Sequence, residues 1–145
     1  MKVIIVSGSV GTGKTTIAKK IAKEKNYKYV DINNLIIKNK LHQGYNKKLK
    51  TRLVDTKILN KFLIKLIKNS KEKGLVIDSH FSHYLPSKYV SLCIITKTDL
   101  KRLKKRLQKR KYSKAKIDEN MESEILDICL VEALENKHKV KVVYT

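Results

Sequence analysis

The stretch that decides how this 145-residue chain folds is Gly8-Ser9-Val10-Gly11-Thr12-Gly13-Lys14-Thr15. It fits the phosphate-binding pattern G-x-x-x-x-G-K-[ST] at every fixed position. The apolar run Val3–Val6 leads into it, and a helical pattern of apolar residues from Ile17 to Ala22 leads out of it. The sequence therefore predicts a strand, a glycine-rich turn and the start of a helix. The alternative is a turn that holds Lys-Thr by chance, and the agreement of strand, loop and helix argues against it.

The chemistry of this stretch suits a polyphosphate. Gly11 and Gly13 let backbone N–H groups wrap around a phosphate that a Cβ would keep at a distance. The N-terminus of the following helix adds a partial positive charge. We expect Lys14 to reach the β- and γ-phosphates of ATP, and Thr15 to offer its hydroxyl group to Mg²⁺.

The rest of the sequence alternates predicted strands with predicted helices. The predicted strands are Lys2–Ser7, Tyr27–Ile32, Leu75–Asp78, Tyr89–Ile95 and Val140–Tyr144. The predicted helices are Thr15–Lys25, Thr56–Asn69, Leu100–Lys109 after an N-cap at Asp99, and a segment capped by Ser113 that runs to about Glu135 with Ile117, Ile125, Ile128 and Leu134 facing inward. Residues 33–55 are expected to form a helix–loop insertion. The alternation predicts one α/β domain with a parallel sheet.

A second candidate site residue ends an apolar strand. The run Leu75–Ile77 leads into Asp78, and an acid at the carboxyl edge of the sheet beside the phosphate loop can hold Mg²⁺ through water. His80 lies two residues further on and could orient or deprotonate a water that attacks the γ-phosphate. A histidine that only hydrogen-bonds the loop is an equal alternative from position alone.

Two arginines stand out in a chain in which lysine far outnumbers arginine. Arg106 and Arg110 are four residues apart, one helical turn, and a guanidinium fork matches the charge of a transferring phosphoryl group better than an ammonium does. The spacing by itself is equally typical of a solvated basic helix, and from the residues alone that interpretation is favoured.

The composition bounds the class of protein. The net charge is +21, and basic residues cluster in 97–116 while seven acidic residues fall in 118–135. This pattern favours a polyanionic partner such as RNA or a ribonucleoprotein, with a merely solvated lysine surface as the alternative. Cys93 and Cys129 lie in apolar segments and are expected to be buried free thiols, as in a cytoplasmic protein. No apolar run is long enough to span a membrane, so no membrane partner is expected.

Four stretches of the sequence resemble the adenylate kinase isoenzyme six family, the archaeal and eukaryotic adenylate kinase-like NTPases of small-subunit ribosome maturation. Gly8–Thr16 resembles the family's phosphate loop, and Val76–His80 its apolar-apolar-Asp-x-His signature. Arg106–Tyr112 resembles the lid run R-L-x-x-R-G-Y, and Ile117–Glu135 the helix that follows the lid. Gly44-Tyr45 also fits the family's monophosphate-binding insertion.

The resemblance implies a fold and an activity. The implied fold is a three-layer α/β P-loop NTPase domain like that of nucleoside monophosphate kinases. It has a parallel five-stranded sheet, a monophosphate-binding insertion at about 33–55 and a short lid at about 109–119. The implied activity is a broad-specificity nucleoside monophosphate kinase (ATP + AMP = 2 ADP) with ATPase activity. The implied biological role is late maturation of the small ribosomal subunit and its rRNA, through transient association with a small-subunit ribosomal protein.

The resemblance also assigns roles to residues of this chain. ATP would be bound by Gly11, Gly13, Lys14, Thr15 and Thr16. Asp78 would hold the Mg²⁺ site with Thr15, and His80 would support hydrolysis. Arg110 would contact ATP from the lid, with Arg106 beside it. The catalytic set implied in this way is Lys14, Asp78, His80, Arg106 and Arg110.

The sequence departs from the family pattern in three places. Lys111 stands where the lid has glycine, and no arginine opens the insertion to bind a monophosphate, so Lys38 is the expected substitute. The family's adenine-binding loop and final helix have no counterpart before Thr145. A small-metabolite kinase of the shikimate or gluconate kind is the alternative function, and the Asp-x-His signature speaks against it.

Overall fold

Runs of β-branched residues without polar alternation form the central sheet of the protein, as expected for strands that are buried on both faces. The computed structural model describes residues 1–46 and 51–145. The backbone of residues 47–50 and the side chains of residues 42–53 lie outside that described part.

Strands and helices alternate along most of the chain. The strands are β1 (Lys2–Gly8), β2 (Lys28–Asp31), β3 (His42–Asn46), β4 (Thr51–Val54), β5 (Gly74–Asp78), β6 (Leu92–Lys97) and β7 (Val140–Tyr144). The helices are α1 (Lys14–Lys25), α2 (Ile32–Lys38), α3 (Thr56–Asn69), α4 (Leu100–Lys109), α5 (Lys114–Ile125) and α6 (Ile128–Glu135). Two 3-10 turns, Ser82–Tyr84 and Ser87–Tyr89, lie between β5 and β6.

Five strands form one sheet in the order β2-β5-β1-β6-β7. Each neighbouring pair in this sheet is parallel, so the predicted parallel five-stranded sheet is confirmed. β1 is the central strand, and its carboxyl end therefore lies in the middle of the sheet's edge. β3 and β4 form a separate antiparallel hairpin.

Helices cover both faces of the sheet and give the three predicted layers. On one face, Ala18 and Ala22 of α1 pack in a cluster with Val6 and other strand residues. On the other face, residues from α2, α3 and α6 pack in a larger cluster that contains Ile5 and Ile77. These two apolar layers hold β1 and β5 in place, and the candidate site is built at the ends of those two strands.

Three helices begin after a residue whose side chain caps the helix. Asp55, Asp99 and Ser113 each accept a hydrogen bond from a backbone N–H in the first turn of α3, α4 and α5. Gly13 precedes α1 with φ 81°, in the left-handed region that suits glycine. The predicted caps at Asp99 and Ser113 are confirmed.

The acidic segment differs from its prediction. It forms two helices rather than one, because Asp127 adopts a left-handed conformation with φ 51° and interrupts the helix between α5 and α6. Ile125, Ile128 and Leu134 were expected to face inward, and that prediction is wrong: their side chains are 59 %, 38 % and 55 % exposed. The break changes the phase of the helix, so that the shorter Cys129 faces the sheet instead.

Two further boundaries differ from the sequence-based expectation. β6 begins at Leu92 rather than Tyr89, because Ser87–Tyr89 forms a 3-10 turn. The insertion at 33–55 was expected to be a helix and a loop, and it contains α2 followed by the β3–β4 hairpin. Gly44-Tyr45 lies in this hairpin, and its side-chain role lies outside the described residues.

Cys93 and Cys129 are both free and buried, as the sequence predicts. Within residues 1–46 and 51–145, the helices are too short or too polar for any of them to cross a bilayer.

Two leucines of α4 pack against the phosphate loop. Leu103 and Leu107 are fully buried, and a Cβ placed on Gly11 would lie 3.0 Å from Leu103 Cδ1. We expect Leu103→Ala to lower the free energy of unfolding by about 3 kcal/mol, because it leaves a cavity in a packed core. Leu100→Ala, on the same helix with a 41 % exposed side chain, should cost less than about 0.5 kcal/mol. Urea denaturation measures both, and equal losses would contradict this packing.

Candidate active site

The site is built where β1 and β5 end side by side. In the parallel register Val6 pairs with Asp78, and the N–H of Ser79 donates a hydrogen bond to the Val6 carbonyl at 3.2 Å. The phosphate loop follows β1 directly, so this pairing brings Asp78 to the loop. Ligands bind at this edge in parallel α/β sheets.

Tight contacts fix the shape of the phosphate loop. A Cβ on Gly8 would lie 2.4 Å from the hydroxyl group of Thr96, so no larger residue fits there. Thr12 Oγ1 donates to the carbonyl of Ser9 at 2.6 Å and lies 2.7 Å from Thr96 Oγ1. Gly11 and Gly13 have φ values of 89° and 81°. The loop is thus held in its phosphate-binding shape by the protein itself.

Lys14 lies within the loop, and its side chain is partly buried. Its Nζ donates a hydrogen bond to the Ser9 carbonyl at 2.9 Å. Burial lowers the pKa of Lys14 from 10.5 to about 8, against the opposing effect of nearby Asp78 and other acidic groups. At neutral pH the side chain is still charged, and no carboxylate among the described side chains forms an ion pair with it. A polyphosphate would supply that partner.

Asp78 is held by two hydroxyl groups. Thr15 Oγ1 donates to Asp78 Oδ2 at 2.8 Å, and Tyr29 Oη donates to the same oxygen at 2.7 Å. Burial, followed by the hydrogen bond to Asp78, raises the pKa of Tyr29 above its usual value. The donor set of Thr15 and Asp78 consists of hard oxygen atoms, which suits Mg²⁺ that takes its remaining ligands from phosphate and water.

His80 is neutral at physiological pH. Burial, with the positive charge of Lys14 as the next cause, lowers the pKa of His80 to about 3. Its ring lies 3.9 Å from the ring of Phe81, centroid to centroid. A neutral imidazole with so low a pKa is a weak base, so it is better suited to orienting a water than to deprotonating it.

One cleft of about 890 Å³ contains most of the residues that the sequence predicted. The predicted residues that line it are Gly11, Gly13, Lys14, Thr15, Thr16, Asp78, His80 and Arg110. Arg110 Nη1 donates a hydrogen bond to Tyr112 Oη at 3.3 Å. The cleft extends past Asp31 and Asn33 to Ile37 of α2.

Arg106 is placed differently from the other predicted residues. Its Nη1 donates to the Gly11 carbonyl at 3.2 Å, and lies 3.1 Å from the hydroxyl groups of both Thr98 and Thr145. Arg106 therefore contacts the backbone of the phosphate loop and is not a solvated residue of a basic helix. A catalytic role for it stays a prediction.

Lys111 stands at the lid position where the family has glycine, and its backbone conformation is one that glycine adopts more easily. Lys111 has φ 59°, a left-handed conformation that costs roughly 1 kcal/mol or more in a residue with a side chain. The predicted substitute clamp, Lys38, does not line the cleft and lies in a separate groove beside β2.

Sequence reasoning missed three groups of the site. Tyr29 was missed because the sequence does not indicate that β2 pairs with β5. This pairing brings the Tyr29 hydroxyl group to Asp78. Lys116 lines the cleft, and its Nζ lies 4.1 Å from the Tyr112 ring centroid. Glu124 is buried and accepts hydrogen bonds from the Thr98 N–H at 2.9 Å and from Ser9 Oγ at 3.3 Å. An acid inside an amphipathic helix gives no sequence signal of such a contact.

The buried charge of Lys14 costs stability. We expect Lys14→Met to abolish ATP turnover and to raise the melting temperature of the nucleotide-free protein, because it removes a desolvated ammonium group. The Ser9 carbonyl stays satisfied, since Thr12 also donates to it. Lys20→Met, at an exposed position of α1, is the matched control and should change little. Calorimetry measures both variants.

The stabilisation expected for Lys14→Met depends on pH. The pKa of Lys14 is lower in the folded protein than in the unfolded chain, so the unfolded chain binds the proton more tightly between pH 8 and 10.5. Wild-type stability therefore rises with pH in that window through this residue. The stabilisation by Lys14→Met should shrink as the pH rises from 8 towards 10.5. A constant gain across the window would contradict the burial of the charge.

Comparison with solved structures shows the same fold. Shikimate kinase from Acinetobacter baumannii matches the whole chain and 85% of its own, with a TM-score of 0.65 and 11% identity. The protein TT1252 from Thermus thermophilus matches 99% of this chain and 88% of its own, with a TM-score of 0.62 and 13% identity. At such identities the likeness concerns the P-loop kinase fold alone.

Comparison with curated sequences identifies the family. A family model described as an AAA domain matches residues 4–127. The adenylate kinase isoenzyme 6 homolog of Schizosaccharomyces pombe is 39% identical over 134 residues, which are 92% of this chain and 74% of that protein. A putative adenylate kinase of Methanocaldococcus jannaschii is 35% identical over 130 residues, 90% of this chain and 71% of that protein. With its P-loop kinase fold and this likeness, the chain belongs to the adenylate kinase isoenzyme 6 family.

Proposed function

We propose that this adenylate kinase-like P-loop kinase transfers the γ-phosphoryl group of ATP to AMP or a similar nucleoside monophosphate, and hydrolyses ATP when no monophosphate is bound. The observation that carries the proposal is the single cleft that joins the phosphate loop to α2. ATP would occupy the end formed by the loop. The monophosphate would occupy the end formed by Asn33, Ile36 and Ile37, within the proposed insertion at 33–55.

The residues of the cleft have complementary tasks in phosphoryl transfer. An oxygen of the monophosphate attacks the γ-phosphorus while the bond from that phosphorus to the bridging oxygen breaks, and two diphosphates result. Lys14 offsets charge on the β- and γ-phosphates, and Arg110, from the proposed lid at 109–119, offsets charge on the transferring group. Thr15 and Asp78 would hold Mg²⁺, which neutralises phosphate charge when bound.

Hydrolysis requires a water in place of the monophosphate. His80 lies in the cleft beside Asp78 and is neutral, so it can accept a hydrogen bond from that water and orient it. Phosphoryl transfer through a loose transition state needs little proton abstraction, so positioning by a weak base is sufficient. Transfer to a monophosphate does not need this step.

The proposed biological role is late maturation of the small ribosomal subunit and its rRNA. It would involve transient association with a small-subunit ribosomal protein. Two basic surfaces support a ribonucleoprotein partner. One face of α3 exposes Lys57, Lys61, Lys65 and Lys68, and the exposed surface of α4 is equally basic. Such surfaces favour contact with phosphate-rich RNA. The alternative is a lysine-rich surface that binds no partner, and co-sedimentation with small ribosomal subunits distinguishes the two.

The reaction is tested by product analysis of ATP turnover with and without AMP. We expect ADP formation to be stimulated by AMP, with slower release of free phosphate when AMP is absent. Asp78→Asn should weaken both reactions and be partly rescued by raised Mg²⁺. His80→Ala should lower hydrolysis by about a hundredfold with a smaller effect on transfer, because only hydrolysis needs a positioned water.

His80→Gln is the control for this variant, because its amide can still hydrogen-bond a water and should retain part of the hydrolysis. Equal loss of both reactions in His80→Ala would contradict the orienting role. Absence of any AMP-dependent ADP formation in the wild-type protein would contradict the kinase assignment.

The ribosomal role is tested by co-sedimentation with small ribosomal subunits across a salt series. If about five lysines contact phosphates, affinity should fall roughly a thousandfold between low and moderate salt. Lys61→Glu with Lys65→Glu should flatten the salt dependence and leave ATP turnover unchanged, since neither residue lines the nucleotide cleft. Lys20→Glu with Lys23→Glu, on exposed positions of α1, makes the same charge change elsewhere. Absence of binding at low salt, with and without ATP, would contradict the role.

A further inference from the structure

The outer surface of α5 and α6 carries an unusual concentration of exposed apolar side chains. Ten large hydrophobic residues are exposed among those that the structure describes, and half of them fall within ten consecutive residues. We call these five the α5–α6 ridge: Ile125, Leu126, Ile128, Val131 and Leu134. The other exposed apolar residues are scattered over the sequence. Contiguous exposed apolar surface typically marks an interaction site, whereas isolated residues do not.

The helical spacing makes the α6 part of the ridge continuous. Ile128, Val131 and Leu134 recur every third residue of α6, so successive side chains are neighbours on the helix surface. The opposite side of α6 packs against the sheet through Cys129 and Ala133, which are buried. The exposed fractions of the ridge residues run from 38 % at Ile128 to 59 % at Ile125. This side of α6 is therefore partly open to solvent.

The charge around the ridge is opposite to that of the rest of the protein. Residues 117–136 contain seven of the 13 acidic residues and no lysine or arginine, in a chain whose net charge is +21. Three of these acids have partners within the protein. Glu124 and Asp127 form ion pairs with Lys97, and Glu132 lies 3.5 Å from His83 Nε2.

Two exposed acids border the ridge. Glu122 precedes Ile125 by three residues, and Glu135 follows Val131 by four, so each is a surface neighbour of a ridge residue. Neither forms an ion pair within the described residues. The ridge therefore consists of apolar residues with two carboxylates beside them, and both features are accessible to a partner.

We propose that the α5–α6 ridge binds a cationic amphipathic helix of a partner protein. Apolar side chains of that helix would pack between the ridge residues, and its lysine or arginine side chains would pair with Glu122 and Glu135. The inference concerns a surface apart from the cleft. It does not depend on the proposed kinase reaction and stands if the proposed ribosomal role fails.

Other occupants fit the ridge less well. In a symmetric dimer, the ridge of a second copy would bring carboxylates against carboxylates. In a head-to-tail contact, the described part of the basic surface of a second copy offers isolated exposed apolar residues such as Ile58 and Leu100. An anionic membrane surface would repel Glu122 and Glu135. A cationic amphipathic helix matches both the apolar strip and its charge.

The test uses a fluorescent helical peptide of about 18 residues, with leucine along one face and arginine on the other, and measures binding by anisotropy. We expect Val131→Ser with Leu134→Ser to weaken binding by at least about tenfold, because both side chains lose buried apolar area. Ile58→Ser with Leu100→Ser is the matched control at exposed apolar positions elsewhere, and should change binding less than about twofold. Circular dichroism confirms that each variant remains folded.

A second pair of variants tests the charge. Glu122→Gln with Glu135→Gln should weaken binding at low salt, whereas Glu24→Gln with Glu72→Gln, at exposed positions outside the ridge, should not. A peptide in which serine replaces every leucine should bind far more weakly at the same charge. Equal binding of that peptide, or unchanged binding in Val131→Ser with Leu134→Ser, would overturn the proposal. So would self-association of the wild-type protein that Leu134→Ser abolishes, since the occupant would then be a second copy.

Discussion

The parallel pairing of β1 with β5 is the constraint on which the site depends. It sets Val6 opposite Asp78, so the strand that leads into the phosphate loop and the strand that ends on the acid finish at the same level. Thr15, in the first turn of α1, then reaches the Asp78 carboxylate at 2.8 Å. A slip of one residue in this pairing would turn Asp78 to the other face of the sheet and separate the two oxygen ligands. The buried aliphatic side chains of both strands prevent that slip.

The sequence predicts those parts of the structure that are determined by a few adjacent residues. The phosphate loop, the caps at Asp99 and Ser113, and the buried strands each follow from a few adjacent residues. The predicted family and P-loop kinase fold are confirmed by the comparisons. What the sequence could not predict depends on tertiary neighbours. Tyr29 reaches Asp78 only because β2 lies beside β5, and Arg106 contacts Gly11 only because α4 lies beneath the loop. The inward-facing residues of the acidic segment were mispredicted because one left-handed residue, Asp127, changes the helical phase.

Support for the phosphate loop comes largely from the second half of the chain. Leu103, Leu107 and Arg106 contact it from α4, and Glu124 contacts Ser9 from the last turn of α5. The α5–α6 ridge begins one residue after Glu124. The side of α5 that holds the loop and the side that offers apolar surface to a partner therefore share a single helical turn. Lys97 links the same turn to β6 through its ion pairs with Glu124 and Asp127.

Charge is unevenly distributed along this chain. One stretch, residues 117–136, holds no basic residue, and the basic residues of α3 and α4 lie elsewhere. A polyanion would attract the basic surfaces and repel the exposed carboxylates of residues 117–136. First encounters would accordingly be oriented rather than random, and added salt would remove the orientation together with the attraction.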